Sequence, residues 1–172
     1  MPSVFTDNRK MAPHLRIEPA TPHDVPLILN LVKKLAAYER LSHEVVATEE
    51  HFREALFGTA RVAEALLAFS GDQPVGFALY FSTFSTFVGR PGIYLEDIFV
   101  EPQHRGQGIG AALLARIAKI ACHRNCGRLE WSVLTWNEPA IGFYERLGAR
   151  RMEEWRVFRL AGTALKELAG GA

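Results

Sequence analysis

The feature that most constrains this 172-residue chain is a glycine-rich segment between an apolar run and a helical pattern. Residues 95–114 read LEDIFVEPQHRGQGIGAALL, and Gly106, Gly108 and Gly110 stand at alternate positions directly after Arg105. Glycine tolerates left-handed backbone conformations and allows a ligand to approach the main chain closely. The amides that open a helix attract anions. The segment therefore predicts a strand, an anion-binding loop and a helix, in that order.

Hydrophobic periodicity on both sides of this loop predicts a mixed α/β fold. Strands are predicted over 14–19, 62–70, 75–84, 93–100, 128–135 and 151–160. Helices are predicted over 22–40, 48–57, 108–125 and 137–147, with a weak helix at the end of the chain and a loop at 85–92. This order is neither a regular βαβ alternation nor an all-β array, which indicates one mixed sheet flanked by helices. We expect a flexible N-terminal arm over 1–13 and a single domain over 14–172.

Composition argues against several classes of function. The formal net charge is +1, which gives no support for nucleic-acid or membrane-surface binding. The apolar stretches are much shorter than the roughly 20 residues of a membrane helix, and residues 1–13 show no secretory signal. Cys122 and Cys126 lack further metal ligands at suitable spacing. We therefore expect a cytoplasmic protein with reduced thiols, no metal, and neither nucleic acid nor membrane as a partner.

The glycines can be compared with three known patterns: a dinucleotide-binding loop, a Walker A loop and a simple tight turn. Gly106, Gly108 and Ala111 satisfy G-x-G-x-x-[GA], and Glu130 follows at about the distance of a ribose-binding acid. However, three predicted strands directly precede the loop, whereas a dinucleotide-binding unit usually opens its domain. Glu130 also stands near the beginning of its strand. No Lys follows the glycines, which excludes a Walker A loop, and a tight turn alone needs only one glycine.

The loop resembles the pyrophosphate loop of acetyl-CoA-dependent N-acetyltransferases, whose signature R/Q-x-x-G-x-G/A spans Gln103 to Gly108 here. From residue 14 to 168 the chain resembles the GNAT superfamily of N-acetyltransferases. Its segments YLEDIFV, WNEPAIGFYERLGA and EEWRVFRL, together with LAAYERL at 35–41, look like the diamine (spermidine/spermine) and thialysine branch. The resemblance implies a GNAT fold, a mixed and mostly antiparallel splayed sheet with acetyl-CoA in the wedge between the strands at 93–100 and 128–135. It also implies a homodimer.

The resemblance further implies which residues hold the cosubstrate acetyl-CoA. Backbone groups of one strand would pair with the pantetheine arm, namely Ile98, Phe99 and Val100. Loop amides would hold the pyrophosphate, namely Arg105, Gly106, Gln107, Gly108, Ile109 and Gly110. Asn137, Pro139 and Ala140 would flank the other side of the cofactor, although helix capping explains Asn137 equally well.

Acetyl transfer to an amine requires a proton acceptor, a stabilised thioester oxygen and a proton donor for the departing thiolate. By resemblance Tyr144 is the general acid, the alternative being a tyrosine that packs a helix onto the sheet. Glu96 is the base, acting directly or through water, and an amide near Phe99 stabilises the oxygen. Neighbours on a regular strand point to opposite faces, so Asp97 is expected to brace the fold.

The residues that would determine amine specificity match the family pattern less well than the cofactor-binding residues do. Polyamine acetyltransferases carry an acid where Ser85 stands, and the remaining candidate amine contacts are Tyr38, Glu39, Glu96, Glu154 and Trp155. The expected function is direct ternary-complex transfer of acetyl from acetyl-CoA to a primary amine of a polyamine, a diamine or a lysine-like amino acid. The alternatives are another acceptor, such as a protein N-terminus or an aminoglycoside, and a non-catalytic acyl-CoA-binding module.

Overall fold

A computed structural model describes residues 14–171, so the predicted N-terminal arm lies outside the described residues. The predicted fold class is confirmed: helices flank a five-stranded mixed sheet. The strands are β1 (Leu15–Pro19), β2 (Glu64–Ser70), β3 (Gln73–Ser85), β4 (Arg90–Val100) and β5 (Leu129–Trp131). The helices are α1 (Val25–Tyr38), α2 (Glu49–Phe57), α3 (Ile109–His123), α4 (Glu138–Arg146) and α5 (Gly162–Leu168). No helix among these is long and apolar enough to cross a membrane.

The strands follow one another across the sheet in chain order, from β1 to β5. Neighbouring strands are antiparallel except for β4 and β5, which are parallel. β5 pairs only with Ile93, Tyr94 and Leu95 of β4. The remaining part of β4, from Glu96 to Val100, therefore continues beyond the end of that ladder, and the sheet opens on this side.

Apolar residues at helical and strand spacing build the core of the sheet-bearing part. α1 and α2 pack on one face against alternate residues of the strands, including Ala65, Leu67, Phe77 and Phe99. α3 contacts β1 to β4 and buries Leu113 and Ile117. Because successive side chains of a strand point to opposite faces, the sheet can pack against both groups of helices.

Local capping explains why the helix boundaries are readable from the sequence. The Asp24 carboxylate accepts hydrogen bonds from both the backbone N–H and the hydroxyl of Thr21, each at 2.7 Å. The Thr48 hydroxyl oxygen accepts the His51 N–H at 3.4 Å at the start of α2. Such side chains satisfy amides that have no partner within the helix.

Two predicted strands and one predicted loop are corrected by the structure. The strand predicted over 128–135 is reduced to β5, because pairing with β4 stops at Trp131. Residues 151–160 form no strand, and Val157 and Phe158 in this segment are 82% and 94% exposed. A strand-like pattern yields a strand only where a neighbouring backbone completes the ladder.

The third correction concerns the loop predicted over 85–92, because β4 already begins at Arg90. Pro91 and Gly92 normally weaken a strand. Pro91 is tolerated because β5 pairs with β4 only from Ile93 onward, so no ladder bond is lost on that side. Gly92 is required by close packing, since a Cβ there would lie 2.7 Å from Oγ1 of Thr83.

The chain divides into two compact units, with the boundary between Ser132 and Val133. The first unit holds the sheet with α1 to α3, and the second holds α4 and α5. Within residues 14–171 no group of three or more His, Cys, Asp or Glu side chains is arranged to hold a metal ion.

The packing at Gly92 is testable by a double-mutant cycle. We expect Gly92→Ala to lower the free energy of unfolding by about 1–3 kcal/mol, because the new methyl group meets the Thr83 hydroxyl oxygen. Thr83→Ala removes that oxygen, so the double variant is expected to be more stable than additivity predicts. Urea unfolding of the four proteins measures the coupling, and strict additivity would contradict this account.

Candidate active site

The open end of the sheet begins at a β-bulge in β4. Tyr80 of β3 pairs with Leu95 and Leu79 pairs with Asp97, which leaves Glu96 as the extra residue of β4. A bulge bends its strand and interrupts the alternation of side chains. It directly follows Leu95, the last residue paired with β5. The bulge thus explains why the two strands separate there, and the regular alternation assumed for Glu96 and Asp97 does not apply.

An acidic cluster surrounds the bulge and consists of Glu39, Glu96 and Asp97. Burial, together with the nearby charges of Glu96 and Glu39, raises the pKa of Asp97 to about 6. Burial also raises the pKa of Glu39, which stands at the C-terminal cap of α1. Crowded, partly desolvated carboxylates are costly to ionise, and a bound cation relieves that cost. The cluster is therefore suited to an ammonium group.

Arg105 connects the glycine loop to α1. Its guanidinium carbon lies 4.4 Å from the centroid of the Tyr38 ring and 5.7 Å from that of the Phe99 ring. Its Nε donates a hydrogen bond of 3.0 Å to the Val100 carbonyl oxygen. The side chain of Arg105 thus braces the loop against the sheet and α1, and its contribution to an anion site comes from its backbone amide.

A second contact fixes the same loop from the side of α1. Lys34 forms an ion pair with Glu101, whose side chain is only 9% exposed. Glu101 directly precedes a single 3-10 turn, Pro102–His104, that leads into the glycines. Within the described chain, Nδ1 of His104 is buried without a hydrogen-bond partner. The loop is therefore held at its base by one charge pair and further along by Arg105.

The glycines shape the loop as the sequence predicts. Gly106 and Gly108 have φ angles of +75° and +78°, a region that side chains disfavour. No atom lies within 4 Å of where a Cβ would be at either residue, so the space beside the backbone is open. Gly108 is the N-cap of the 15-residue α3 and has no side chain to cap it. The first amides of α3 and its dipole are consequently available to an anion.

The backbone of the free part of β4 alternates between its two neighbours. The Glu101 N–H donates to the Val75 carbonyl oxygen at 2.9 Å, toward β3. Because every second residue of a strand points its polar groups the same way, Phe99 also faces β3. Ile98 then presents its amide and carbonyl to the open side, and Val100 presents its amide there, because the Val100 carbonyl oxygen already accepts the Nε–H of Arg105.

The predicted residues of the second unit lie on and after α4. Asn137 caps α4, since its side-chain oxygen accepts the Ala140 N–H at 3.4 Å, and this confirms the capping interpretation. Pro139 occupies the first turn of α4. Tyr144 is partly buried, with its ring 5.2 Å from that of Phe143.

The last two predicted residues of this unit, Glu154 and Trp155, are exposed in the segment that follows α4. The first unit alone holds the acidic cluster, the glycine loop and Tyr38.

Ser85, which was predicted to contact the substrate, has its side chain turned into the protein. It is 3% exposed, and its hydroxyl oxygen accepts the Val88 N–H and an Arg128 N–H, each at 3.3 Å. Its role is to hold the turn between β3 and β4. The sequence placed Ser85 in a loop but carried no sign that its hydroxyl turns inward.

Asp97 is the acid whose electrostatic environment the sequence did not reveal. The signal for it was present as two adjacent acids at the end of an apolar run. The bulge that brings their charges together depends on pairing with β3, which a single strand does not reveal.

Comparisons with known proteins agree with this geometry. The model of the Acetyltransferase (GNAT) family matches residues 31–149. A thialysine N-epsilon-acetyltransferase from Bos taurus is 42% identical over 165 residues, covering 90% of this chain and 96% of the relative. An L-ornithine N5-acetyltransferase from Arabidopsis thaliana is 34% identical over 199 residues, covering 89% of this chain and 87% of the relative. An integron cassette protein from the mobile metagenome of V. cholerae superposes with a TM-score of 0.76 at 28% identity, covering 90% and 97% of the two chains.

The raised pKa of Asp97 has a consequence for stability. A carboxyl whose pKa is about 6 in the folded state and lower in the unfolded state costs stability as the pH rises from about 4 to above 6. We expect Asp97→Asn to match the parent protein near pH 4 and to exceed it in stability at pH 8 by about 3 kcal/mol.

Guanidinium unfolding at both pH values measures this difference. Asp72→Asn, in the turn between β2 and β3, serves as the control. A stability gap for Asp97→Asn that is equal at both pH values, or larger at pH 4, would count against the acidic cluster.

Proposed function

Since the chain belongs to the acetyltransferase (GNAT) family, we propose that it transfers an acetyl group from acetyl-CoA to a primary amine of a small molecule. The transfer is direct, within a ternary complex of enzyme, acetyl-CoA and amine. The observation that carries this proposal is the acidic cluster of Glu39, Glu96 and Asp97 at the bulge of β4. It provides an anionic binding place for an ammonium next to backbone that is open to a cosubstrate.

The residues of the first unit fit the cosubstrate. The backbone amides from Arg105 to Gly110 and the N-terminus of α3 are proposed to bind a pyrophosphate. Because glycines have no side chain, the phosphates can approach the backbone of the loop closely. The backbone groups of Ile98 and the amide of Val100 are proposed to pair with the pantetheine arm. The backbone of Phe99 faces β3, so the alternation of β4 favours Ile98 and Val100 over Phe99. Asn137, Pro139 and Ala140 are proposed to flank the cofactor from α4. Acetyl-CoA supplies an activated thioester when bound.

The chain's own side chains handle the protons. Glu96 accepts the proton of the ammonium, directly or through water. Asp97 stands beside it, and its raised pKa makes it a stronger base than an ordinary carboxylate. An amide of the free part of β4 stabilises the thioester oxygen as negative charge develops. Tyr144 donates a proton to the departing thiolate.

The amine we propose is a lysine-like amino acid, with diamines and polyamines as slower acceptors. Similar proteins are named for thialysine and L-ornithine, which each carry a side-chain amine on an amino acid.

Ser85 stands where polyamine enzymes carry an acid, and it is buried against Arg128. An acid at that position would meet the Arg128 guanidinium, so the second cationic nitrogen of a polyamine gains nothing there. Tyr38, Glu154 and Trp155 are proposed as further contacts for the amino acid.

Residues 14–172 are proposed to work as one acetyltransferase domain in a cytoplasmic homodimer. The two cysteines are free thiols, as in a reducing compartment. Met152, Trp155, Val157 and Phe158 are between 64% and 94% exposed, which is apolar surface suited to contact with a second copy. Sedimentation measures the assembly state, and a protein that stays monomeric at micromolar concentration would contradict the dimer.

The proposed activity is tested by release of CoA thiol from acetyl-CoA across a panel of amines. We expect thialysine, lysine and ornithine to be acetylated with higher kcat/KM than putrescine and spermidine. Preferred turnover of an aminoglycoside or a peptide N-terminus would assign a different acceptor. Tight CoA binding with no thiol release from any amine would indicate a non-catalytic acyl-CoA-binding module.

The role of Tyr144 is tested separately. We expect Tyr144→Phe to lower kcat about 100-fold while KM for acetyl-CoA changes little, because only proton donation is lost. Tyr94→Phe is the matched control, since it also removes one tyrosine hydroxyl, here one bonded to Ser132 at 2.7 Å. Full activity of Tyr144→Phe would remove Tyr144 from the mechanism.

A further inference from the structure

A second polar site lies at the far end of α3 from the glycine loop. There a cavity of about 200 Å³ is bordered by the end of α2, the start of β2 and the C-terminal half of α3. α3 has 15 residues and is therefore roughly 22 Å long. The α3 residues that line the cavity begin at Arg116, about 10 Å along the helix from Ile109, so the cavity is separate from the backbone amides that would hold a pyrophosphate.

The polar lining of the cavity consists of Arg61, Glu64, Tyr80, Arg116 and Arg124. Glu64 and Arg124 form a two-bond ion pair, with NH1 to Oε1 at 2.6 Å and NH2 to Oε2 at 2.7 Å. This pair satisfies one of the three guanidinium groups. Within residues 14–171 the side chains of Arg61 and Arg116 form no hydrogen bond and no ion pair. Two positive charges at the cavity therefore remain uncompensated.

Electrostatic effects indicate that these two charges act on the interior of the cavity. Arg124 holds the pKa of Glu64 below its ordinary value, and the charge of Arg61 adds to that effect. Burial raises the pKa of Tyr80 to about 12, and the charge of Arg116 opposes the rise. The Tyr80 hydroxyl consequently stays protonated, and it donates its hydrogen to Oε2 of Glu64 at 3.5 Å.

Stabilisation of the helix terminus does not account for all three arginines. Arg124 follows the last residue of α3 and favourably meets the negative end of its dipole. Arg116, however, stands in the middle of the helix, and Arg61 lies outside it on the segment before β2. Cations cluster in this way where an anion binds, because planar guanidinium groups bind oxyanions with paired hydrogen bonds.

We propose that this cavity binds a small molecule that carries a dianionic phosphate. Arg61 and Arg116 match its two charges, and Leu56, Phe57 and Ile120 provide an apolar wall for the rest of the molecule. The site is separate from the acetyl-transfer centre, so the inference does not depend on which amine is acetylated.

The experiment is calorimetric titration with inorganic phosphate and with phenyl phosphate at constant ionic strength, in the presence of saturating CoA. CoA occupies the glycine loop, so the remaining binding reports on the cavity. We expect one site per chain with a dissociation constant of about 1 mM or tighter, and tighter binding of phenyl phosphate because of the apolar wall. Arg61→Gln and Arg116→Gln are each expected to weaken binding about tenfold, the loss of one charge-assisted contact.

Lys119→Gln is the matched control, because it removes one exposed charge from the same helix outside the cavity. Thermal unfolding of each variant verifies that it is folded. Non-saturable heats, equal effects of Arg116→Gln and Lys119→Gln, or complete loss of phosphate binding on addition of CoA would each overturn the proposal. Failure to bind CoA would refute the proposed acetyl transfer instead, and the comparison of the two variants would still decide the cavity.

Discussion

The extra residue in β4 is the constraint on which the candidate site depends. Glu96 has no partner in β3, so β4 bends directly after the three residues that pair with β5. The same bulge ends one ladder, leaves the backbone groups of Ile98 and the amide of Val100 without a neighbouring strand, and sets Asp97 beside the charges of Glu96 and Glu39. An ideal ladder would satisfy those backbone groups with a neighbouring strand and leave no place for another molecule.

Opposite electrostatic properties are arranged along the same short stretch of chain. The acidic cluster at the bulge favours a cation, while the glycine loop and the N-terminus of α3 favour an anion a few residues later. Arg105 lies between the acidic cluster and the glycine loop, with its guanidinium over the rings of Tyr38 and Phe99. Lys34 forms an ion pair with the buried Glu101. This arrangement suits the two reactants of the proposed reaction, an ammonium ion and a pyrophosphate-bearing thioester.

Much of the fold was predictable because its determinants are local. Thr48 and Gly58 mark the ends of α2, and Asn137 caps α4, through contacts with residues only a few positions away. Gly106 and Gly108 identified the loop because the left-handed conformation itself requires glycine. The failures share a different cause. Residues 151–160 have the composition of a strand, yet a strand exists only through a partner that the segment's own residues do not specify.

The amino-acid sequence by itself therefore determined the α/β class, most helix boundaries, the anion-binding loop and the pair of acids before it. Each of these follows from periodicity, capping or backbone conformation within a few residues. Only the tertiary structure decided where β4 and β5 separate, that Asp97 is coupled to Glu39, that Ser85 turns inward toward Arg128, and that three arginines meet at one cavity. These features join residues distant in the chain, so they arise from strand register and helix packing rather than from any local pattern.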